Sequence, residues 1–265
     1  MYIPVFEGKN IHQFDDKFEQ ISLFIKKNDA ESIFKSKYKK QYRIALRSIA
    51  SSTNQRSLIG QIIYKNSISV HSMNTTVCDN DTGIFLLSII NSFVQDFSIR
   101  LKTNTNLNPF YLNQMPIPRL HVGDDYFDAL VFRTIRLICT GNEYSNLWTE
   151  VTLDIDFNQV NTNAIPLNYS SKVNFSQCAN EWNDSYIISG KTDTTNRFDI
   201  DERAQLRAEI DAIVAHLYGL NHDEMSYILD TFGALRNGEE REFGEFRSKR
   251  MVLEEMKRLE ECQNA

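Results

Sequence analysis

The sequence predicts an α+β protein, and three features of its pattern support this fold class. Residues 42–63 alternate polar and apolar side chains in short stretches, which is typical of strands separated by a loop. Residues 84–101 and 126–140 repeat apolar side chains at steps of three and four, which is typical of helices. Residues 199–265 continue with helical periodicity and capping patterns.

The patterns predict strands, a polar loop and a helix in the first 120 residues. We predict strands over 42–49 and 58–63 with a polar loop over 51–56 between them, and strand-like chain over 65–81. A buried helix should cover 84–101 and end at a Thr/Asn-rich loop. Two closely spaced prolines in 109–118 exclude a helix or a central strand there.

The rear of the chain is predicted to be an irregular connection followed by helices. An amphipathic helix is expected over 126–140, and the Asn/Ser/Thr-rich stretch 150–198 should be irregular and partly exposed. Capping patterns predict helix starts, and glycines predict helix ends. The starts are at Asp199/Glu202 and Asn221/Glu224, the ends at Gly219 and Gly233, and a last helix begins near 245.

Composition places the chain among ordinary globular proteins. It has 265 residues, of which 42% are hydrophobic and 24% charged. The longest apolar run, 84–90, is far too short for a membrane span, and no secretion signal is recognisable. We expect a cytoplasmic protein without membrane contact, divided into 1–120, a connecting region 121–198, and a helical tail 199–265.

Charge is distributed unevenly along the chain. The whole protein has a formal net charge of −6. Residues 1–120 hold 15 Lys and Arg against 9 Asp and Glu, a net of +6, whereas 121–265 hold 14 against 26, a net of −12. A basic front half can meet phosphates while an acidic rear half faces solvent or a partner.

Motifs for metal or nucleophile chemistry are incomplete. The four cysteines and five histidines have no metal-ligand spacing, so a zinc site or a disulfide framework is not expected. Glu7-Gly8-Lys9 has nuclease-like spacing but lacks an acidic residue upstream. The segment 79–83 resembles a calcium loop, but its glycine and terminal glutamate positions are occupied by isoleucines. We expect a turn before a helix there.

The tetrapeptide Asn108-Pro109-Phe110-Tyr111 resembles the motif with which adenine methyltransferases hold a flipped base. Its third residue is Phe instead of Pro. The glycine-rich cofactor turn that such an enzyme needs is missing from this sequence. We therefore expect no catalytic and no cofactor-binding residue in this chain.

Two polar loops, over residues 51–56 and 102–108, carry side chains that can bind DNA. Hydroxyls and lysines can hold phosphates, while Asn, Gln and Arg can read base edges. Ordinary solvated surface loops have the same composition, and the residues alone favour that interpretation. The candidate DNA-binding residues are Arg43, Arg47, Ser51, Ser52, Thr53, Asn54, Arg56, Arg100, Lys102, Thr105, Asn106 and Asn108.

Several segments, in the same order, resemble the C-terminal target-recognition region of type IIG-like restriction–modification enzymes and related adenine-specific (N6) DNA methyltransferases. The resemblance covers nearly the whole chain. It is carried by residues 3–15, 42–59, 91–93, Arg100, 107–118, 203–220 and 227–232.

The resemblance implies a target-recognition domain over 1–120 that binds double-stranded DNA and presents its site to a methyltransferase. It also assigns 108–111 to recognition and not to catalysis. S-adenosylmethionine binding, methyl transfer and any Mg²⁺-dependent nuclease would belong to a parent enzyme domain, in cis or as a separate chain. Two alternatives stay open: a catalytically competent methyltransferase fragment, and a protein–protein assembly module of the same system.

Overall fold

Six strands and a larger set of helices give the described part of the chain an α+β fold. A computed structural model describes residues 1–34, 41–49, 51, 53–102, 106–155 and 200–263. The strands are β1 (Tyr2–Phe6), β2 (Leu23–Lys26), β3 (Arg43–Arg47), β4 (Gly60–Ile63), β5 (Ile68–Ser69) and β6 (Met73–Thr76).

The helices begin within the front segment and dominate the rest of the described chain. They are α1 (Lys27–Phe34), α2 (Asn80–Ile90), α3 (Phe93–Arg100), α4 (Pro109–Leu112), α5 (Asp125–Ile138), α6 (Ser145–Asp154), α7 (Ile200–Leu217), α8 (His222–Asp230), α9 (Gly233–Phe243) and α10 (Arg247–Gln263). Short 3₁₀ turns lie at Gly8–Asn10 and Asn142–Tyr144.

The strands form two small sheets. In one, β1 lies between antiparallel β2 and parallel β5. In the other, β3 lies between β4 and β6, and both pairs are antiparallel. The predicted strand–loop–strand unit is therefore confirmed as β3 and β4. The strand-like stretch 65–81 is divided between the two sheets, and Val70 and Val77 lie outside the strands.

The single helix predicted over 84–101 is wrong, because the chain forms α2 and α3, which meet at 64°. Asn91 stands at the break. Its side-chain oxygen accepts from the Gly60 backbone N–H at 2.9 Å, and its amide donates to the Gly60 carbonyl at 3.0 Å. Ser92 then caps α3 by accepting from the backbone N–H of Gln95. The Asn91 side chain thus fixes the break between the two helices against β4.

Gly60 lets β4 approach α2 closely. A Cβ atom at this position would lie 2.7 Å from Leu46 Cδ2 and 3.1 Å from Leu87 Cδ1. A side chain at this position would require the ends of Leu46 and Leu87 to move, so the close approach of sheet and helix favours glycine.

One apolar cluster contains buried side chains from the front, middle and rear of the chain, including Leu46, Phe132 and Leu259. Helix α5 confirms the helix expected over 126–140; it lies inside this cluster and is buried on every side from Ala129 to Ile138. Residues 125–138 are therefore part of the core. The rest of the predicted connection contains α6, and its part over 156–199 lies outside the described residues.

Two further expectations are corrected by local geometry. Pro109 is the first residue of α4, where its missing N–H and fixed φ are tolerated, so the prolines do not exclude a helix. Gly233 begins α9 instead of ending α8, which finishes at Asp230. The end at Gly219, which has a φ of 68°, and the capping box of Asn221 with Glu224 are confirmed.

Within the described ranges, no single helix has both the length and the hydropathy of a membrane span. Helices α2 and α3 reach both together, but they are bent relative to each other and most of their residues are buried in the protein core.

Candidate functional site

The end of the β3 segment, which leads into the first polar loop, lies against the second polar loop. Ile49 and Asn106 form an isolated antiparallel bridge between them. The backbone N–H of Leu107 donates to the carbonyl oxygen of Ser48 at 2.7 Å, and the Asn74 side chain donates to the carbonyl of Leu107 at 2.8 Å. Segments more than 50 positions apart in sequence therefore share one surface.

A buried carboxylate holds the residues that follow the first loop. Asp96 of α3 is fully buried and accepts hydrogen bonds from the backbone N–H groups of Ser57 and Leu58 at 3.1–3.3 Å. It also pairs with Arg56 Nε at 2.9 Å and with Arg100 Nε at 3.1 Å. Two guanidinium groups and two amides thus share one acidic side chain, which fixes where the loop enters β4.

Arg100 ties the loop to the end of α3. Its Nη2 atom donates to the carbonyl oxygens of Asn54 and Gln55, both at 2.9 Å. Its guanidinium also lies 4.1 Å from the ring centroid of Phe232. Arg100 therefore holds the loop backbone, and it is not a side chain that points into solvent.

Arg56 is one of the candidate DNA contacts, and its position corrects this expectation. Only 7% of the residue is exposed, and its guanidinium lies 3.9 Å from the ring centroid of Phe93. Burial lowers the pKa of Arg56, and the nearby Asp96 carboxylate opposes that shift. The side chain bonds to the Asp96 carboxylate and to the Asn91 carbonyl inside the protein, so its role is structural.

Arg43 and Arg47 also turn towards the protein. Arg43 donates from Nη2 to the carbonyl and the hydroxyl of Ser67, and Arg47 donates from Nε to the carbonyl of Ile11 at 2.8 Å. Both side chains are half-buried. Each arginine donates to a backbone carbonyl outside the regular helices and strands. Such a carbonyl needs a hydrogen-bond donor when it is buried away from water.

Most of the remaining described candidates are exposed, and together with Gln55 we call them the polar ridge. It contains Thr53, Asn54, Gln55, Lys102, Asn106 and Asn108. Ser51 is half-buried at its edge and bonds to the Thr53 hydroxyl at 2.7 Å. Ser52 and Thr105 lie outside the described residues. Gln55 is not among the candidate residues, although it lies inside the predicted loop.

Comparison with protein-family models, with curated proteins and with solved structures gave no match for this chain. The site is therefore characterised by its own geometry. Its exposed groups are amides, a hydroxyl and an ammonium, which can make hydrogen bonds and hold an anion. None of the exposed ridge residues that the structure describes is a histidine, an aspartate or a glutamate.

The motifs set aside in the sequence have local structural roles. Asn108 caps α4 by accepting from the Phe110 N–H at 2.7 Å. Lys9 pairs with Glu7 at 2.9 Å, and Asp79 precedes the first residue of α2, as expected for a turn before a helix. Among the residues that the structure describes, no group of three or more His, Cys, Asp or Glu side chains could hold a metal ion.

Proposed function

We propose that this chain recognises duplex DNA for a restriction–modification system and presents the site to an N6-adenine methyltransferase in another domain or chain. The observation that carries the proposal is that the Ile49–Asn106 bridge joins the chain leading into the first polar loop to the second polar loop, while Arg100 holds the backbone of the first. The resemblance of the sequence to target-recognition regions supplies the biological setting.

The chemistry of the ridge suits base reading better than phosphate binding. The carboxamides of Asn54, Gln55 and Asn106 can each pair bidentately with adenine in the major groove. Lys102 can contact a phosphate. Because the neighbouring arginines bond within the protein, the electrostatic part of binding through the described ridge should be small. We therefore expect a shallow dependence of DNA affinity on salt.

Pre-ordering of the loop supports the same proposal. The loop is held by Arg100 at its backbone and by Asp96 at its exit. A backbone fixed in advance loses less conformational entropy on binding than a mobile loop does. Side chains that read bases also require a defined position to discriminate between them.

Selection from a random-sequence duplex pool tests the proposal and requires no assumed target sequence. At low salt the chain should enrich one short motif, and the variant Asn54→Ala/Asn106→Ala should lose the enrichment while it keeps its circular dichroism spectrum. Asn113→Ala, exposed just after α4, is the matched control. Retention of no duplex by the wild-type chain, or equal enrichment by the double variant, would overturn the proposal.

Calorimetry with S-adenosylmethionine separates this function from that of a catalytic fragment. We expect no heat of binding, because the sequence has no glycine-rich cofactor turn. Saturable binding would favour the enzyme alternative. If the chain binds a protein of the system but enriches no DNA motif, the assembly alternative is favoured.

A further inference from the structure

A cavity of about 360 Å³ lies between the start of the chain and the C-terminal helices. Its walls come from residues 12–15, from the loop at Gln55 and Arg56, and from α7, α9 and α10. Its volume falls within the range of about 300–1,000 Å³ that is typical of small-molecule sites. Gln55 belongs to both the polar ridge and this cavity, so the cavity lies beside the ridge.

Four arginines line the cavity: Arg56, Arg203, Arg207 and Arg247. Arg203 donates to the carbonyls of Leu137 at 3.0 Å and Phe14 at 3.2 Å, and Arg207 donates from Nη2 to the carbonyl of Gln13 at 3.1 Å. The Nε atom of Arg207 is buried and has no hydrogen-bond partner among the described residues. A buried donor without an acceptor is costly, and a bound anion would supply the acceptor.

The electrostatic surroundings of Arg207 also favour an anion. Burial lowers the pKa of Arg207 to about 10, and the charges of Arg203 and Arg56 act in the same direction. Burial, with the nearby arginines, lowers the pKa of His12 to about 3, so its imidazole is neutral at physiological pH. Several cationic groups therefore share a cavity in which an anion would reduce their mutual repulsion.

Acidic residues of the cavity offset part of this charge, since Asp15 and Asp211 act on the pKa of Arg207 in the opposite direction to the arginines. Glu239 accepts from the Ser248 backbone at 2.7 Å and from its hydroxyl, and Asp15 accepts from the Lys17 backbone at 2.8 Å. Asp211 accepts from the Phe93 N–H at 2.7 Å, and burial raises its pKa to about 7. Each carboxylate already has a backbone partner, and Asp211 is partly protonated near neutral pH.

Apolar and aromatic side chains also line the cavity, namely Phe14, Phe93, Phe243, Leu235 and Met251. The rings of Phe14, Phe93 and Phe243 lie next to the guanidinium groups of Arg207, Arg56 and Arg247, with 3.9–5.8 Å between guanidinium carbon and ring centroid. Such a lining can contact a planar heterocycle, while the guanidinium groups hold a phosphate in a forked geometry. We propose that this cavity binds the phosphate-bearing unit of a nucleotide, with Arg207 and Arg247 on the phosphate and the phenylalanines beside the base. The proposal is independent of base reading by the polar ridge.

Calorimetry with 5′-AMP tests the cavity directly. AMP should bind the wild-type chain, whereas adenosine, which lacks the charge, and inorganic phosphate, which lacks the base, should each bind more weakly. Arg207→Gln should weaken AMP binding by about tenfold or more, because a charge-assisted hydrogen bond is lost. Arg247→Gln, at the start of α10, should weaken it in the same direction.

The matched control is Arg250→Gln, which removes the same charge from the same helix. Arg250 pairs with Glu245 and Glu254 at the surface, outside the cavity. It should bind AMP as the wild type does, and thermal unfolding should show that all three variants are folded. If Arg207→Gln does not fold, Arg247→Gln decides the test. Equal AMP affinity in the folded cavity variants and the control would overturn the proposal.

A second experiment distinguishes a free nucleotide from a nucleotide within DNA. If a short DNA duplex displaces bound AMP, the cavity also accepts a nucleotide that is part of a DNA strand. Duplex binding that depends on Arg207, without AMP binding, would assign the cavity to the DNA backbone. Binding of neither ligand would overturn the proposal. Lys102→Gln on the ridge should leave AMP affinity unchanged, so failure of the ridge and failure of the cavity can be told apart.

Discussion

The Nη2 atom of Arg100 lies 2.9 Å from the backbone carbonyl oxygen of Asn54, at the tip of a loop 46 positions earlier in the chain. The same atom bonds to the next carbonyl, and Nε of the same guanidinium pairs with the buried carboxylate of Asp96. One side chain therefore connects the loop, the helix end and the buried network. The predictions below begin with this contact.

Arg100→Lys should destabilise the protein by about 1–3 kcal/mol, although it keeps the charge. A lysine ammonium is a point donor and cannot replace a planar fork that bonds to Asp96 and to two carbonyls at once. Urea unfolding measures the change. Arg119→Lys, at an exposed position, is the control and should be neutral. Equal stability of the two variants would show that the fork contributes nothing.

Asp96→Asn should cost about 3–5 kcal/mol, because it leaves the buried charge of Arg56 without its partner. The measurement is the free energy of unfolding from denaturant titration. Asp230→Asn is the control: Asp230 also pairs with two cations, Arg236 and Lys249, but at the surface. Its effect should stay within about 1 kcal/mol. A similar small effect at Asp96 would contradict the assigned role.

Arg133 of α5 and Glu209 of α7 form a second buried pair, with Nε and Oε2 separated by 2.7 Å. Glu209→Gln should destabilise by about 3–5 kcal/mol, since the arginine charge stays buried. The double variant Arg133→Met/Glu209→Leu should recover much of that loss, because apolar groups of similar volume need no charge partner. If the double variant is less stable than Glu209→Gln, the pair itself is strongly stabilising.

Asp16 should make stability depend on pH. Burial raises its pKa from 3.8 to about 7, with a further contribution from Glu143 that Lys17 opposes. The folded state therefore binds a proton more tightly than the unfolded state does, and this contribution to stability is lost as pH rises from about 4 to about 7. Asp16→Asn should become more stable relative to wild type across that window.

Urea unfolding of the wild type and Asp16→Asn at about pH 5 and about pH 8 checks this expectation. The stability difference should change by at least ~1 kcal/mol, given about 1.4 kcal/mol for each pKa unit. Asp29→Asn, at an exposed site on α1, should show the same difference at both pH values. A constant difference for Asp16→Asn would refute the predicted shift.

Two ridge variants should affect DNA binding in different ways. Lys102→Gln should weaken all duplexes about equally and reduce the slope of log affinity against log salt by about 1, as loss of a phosphate contact does. Asn54→Ala should reduce discrimination at one base pair by about 1–3 kcal/mol and leave the slope unchanged. Fluorescence anisotropy on the selected duplex and its single-base variants measures both. Identical behaviour of the two variants would rule out this division of roles.

Features that depend on neighbours in sequence could be predicted from the sequence. Asn221 and Glu224 cap α8, and Gly219 ends α7, because these bonds close within a few residues. The pairing of β3 with β4 around a polar loop belongs to the same class. The α+β fold class follows from such local patterns.

The roles of the arginines depended on partners far away in the chain. Arg56 is of a residue type that often contacts DNA. In the folded chain, however, it is buried and bonds to Asp96, which lies 40 positions later. The bend between α2 and α3 likewise depends on the bonds of Asn91 to Gly60. A side chain that can bond to DNA can equally bond to a buried carboxylate. Only the folded chain decides which partner is within reach. The sequence by itself therefore determined the fold class, the locally capped helix ends and the polar loops, whereas the tertiary structure determined the break between α2 and α3 and which side chains face solvent.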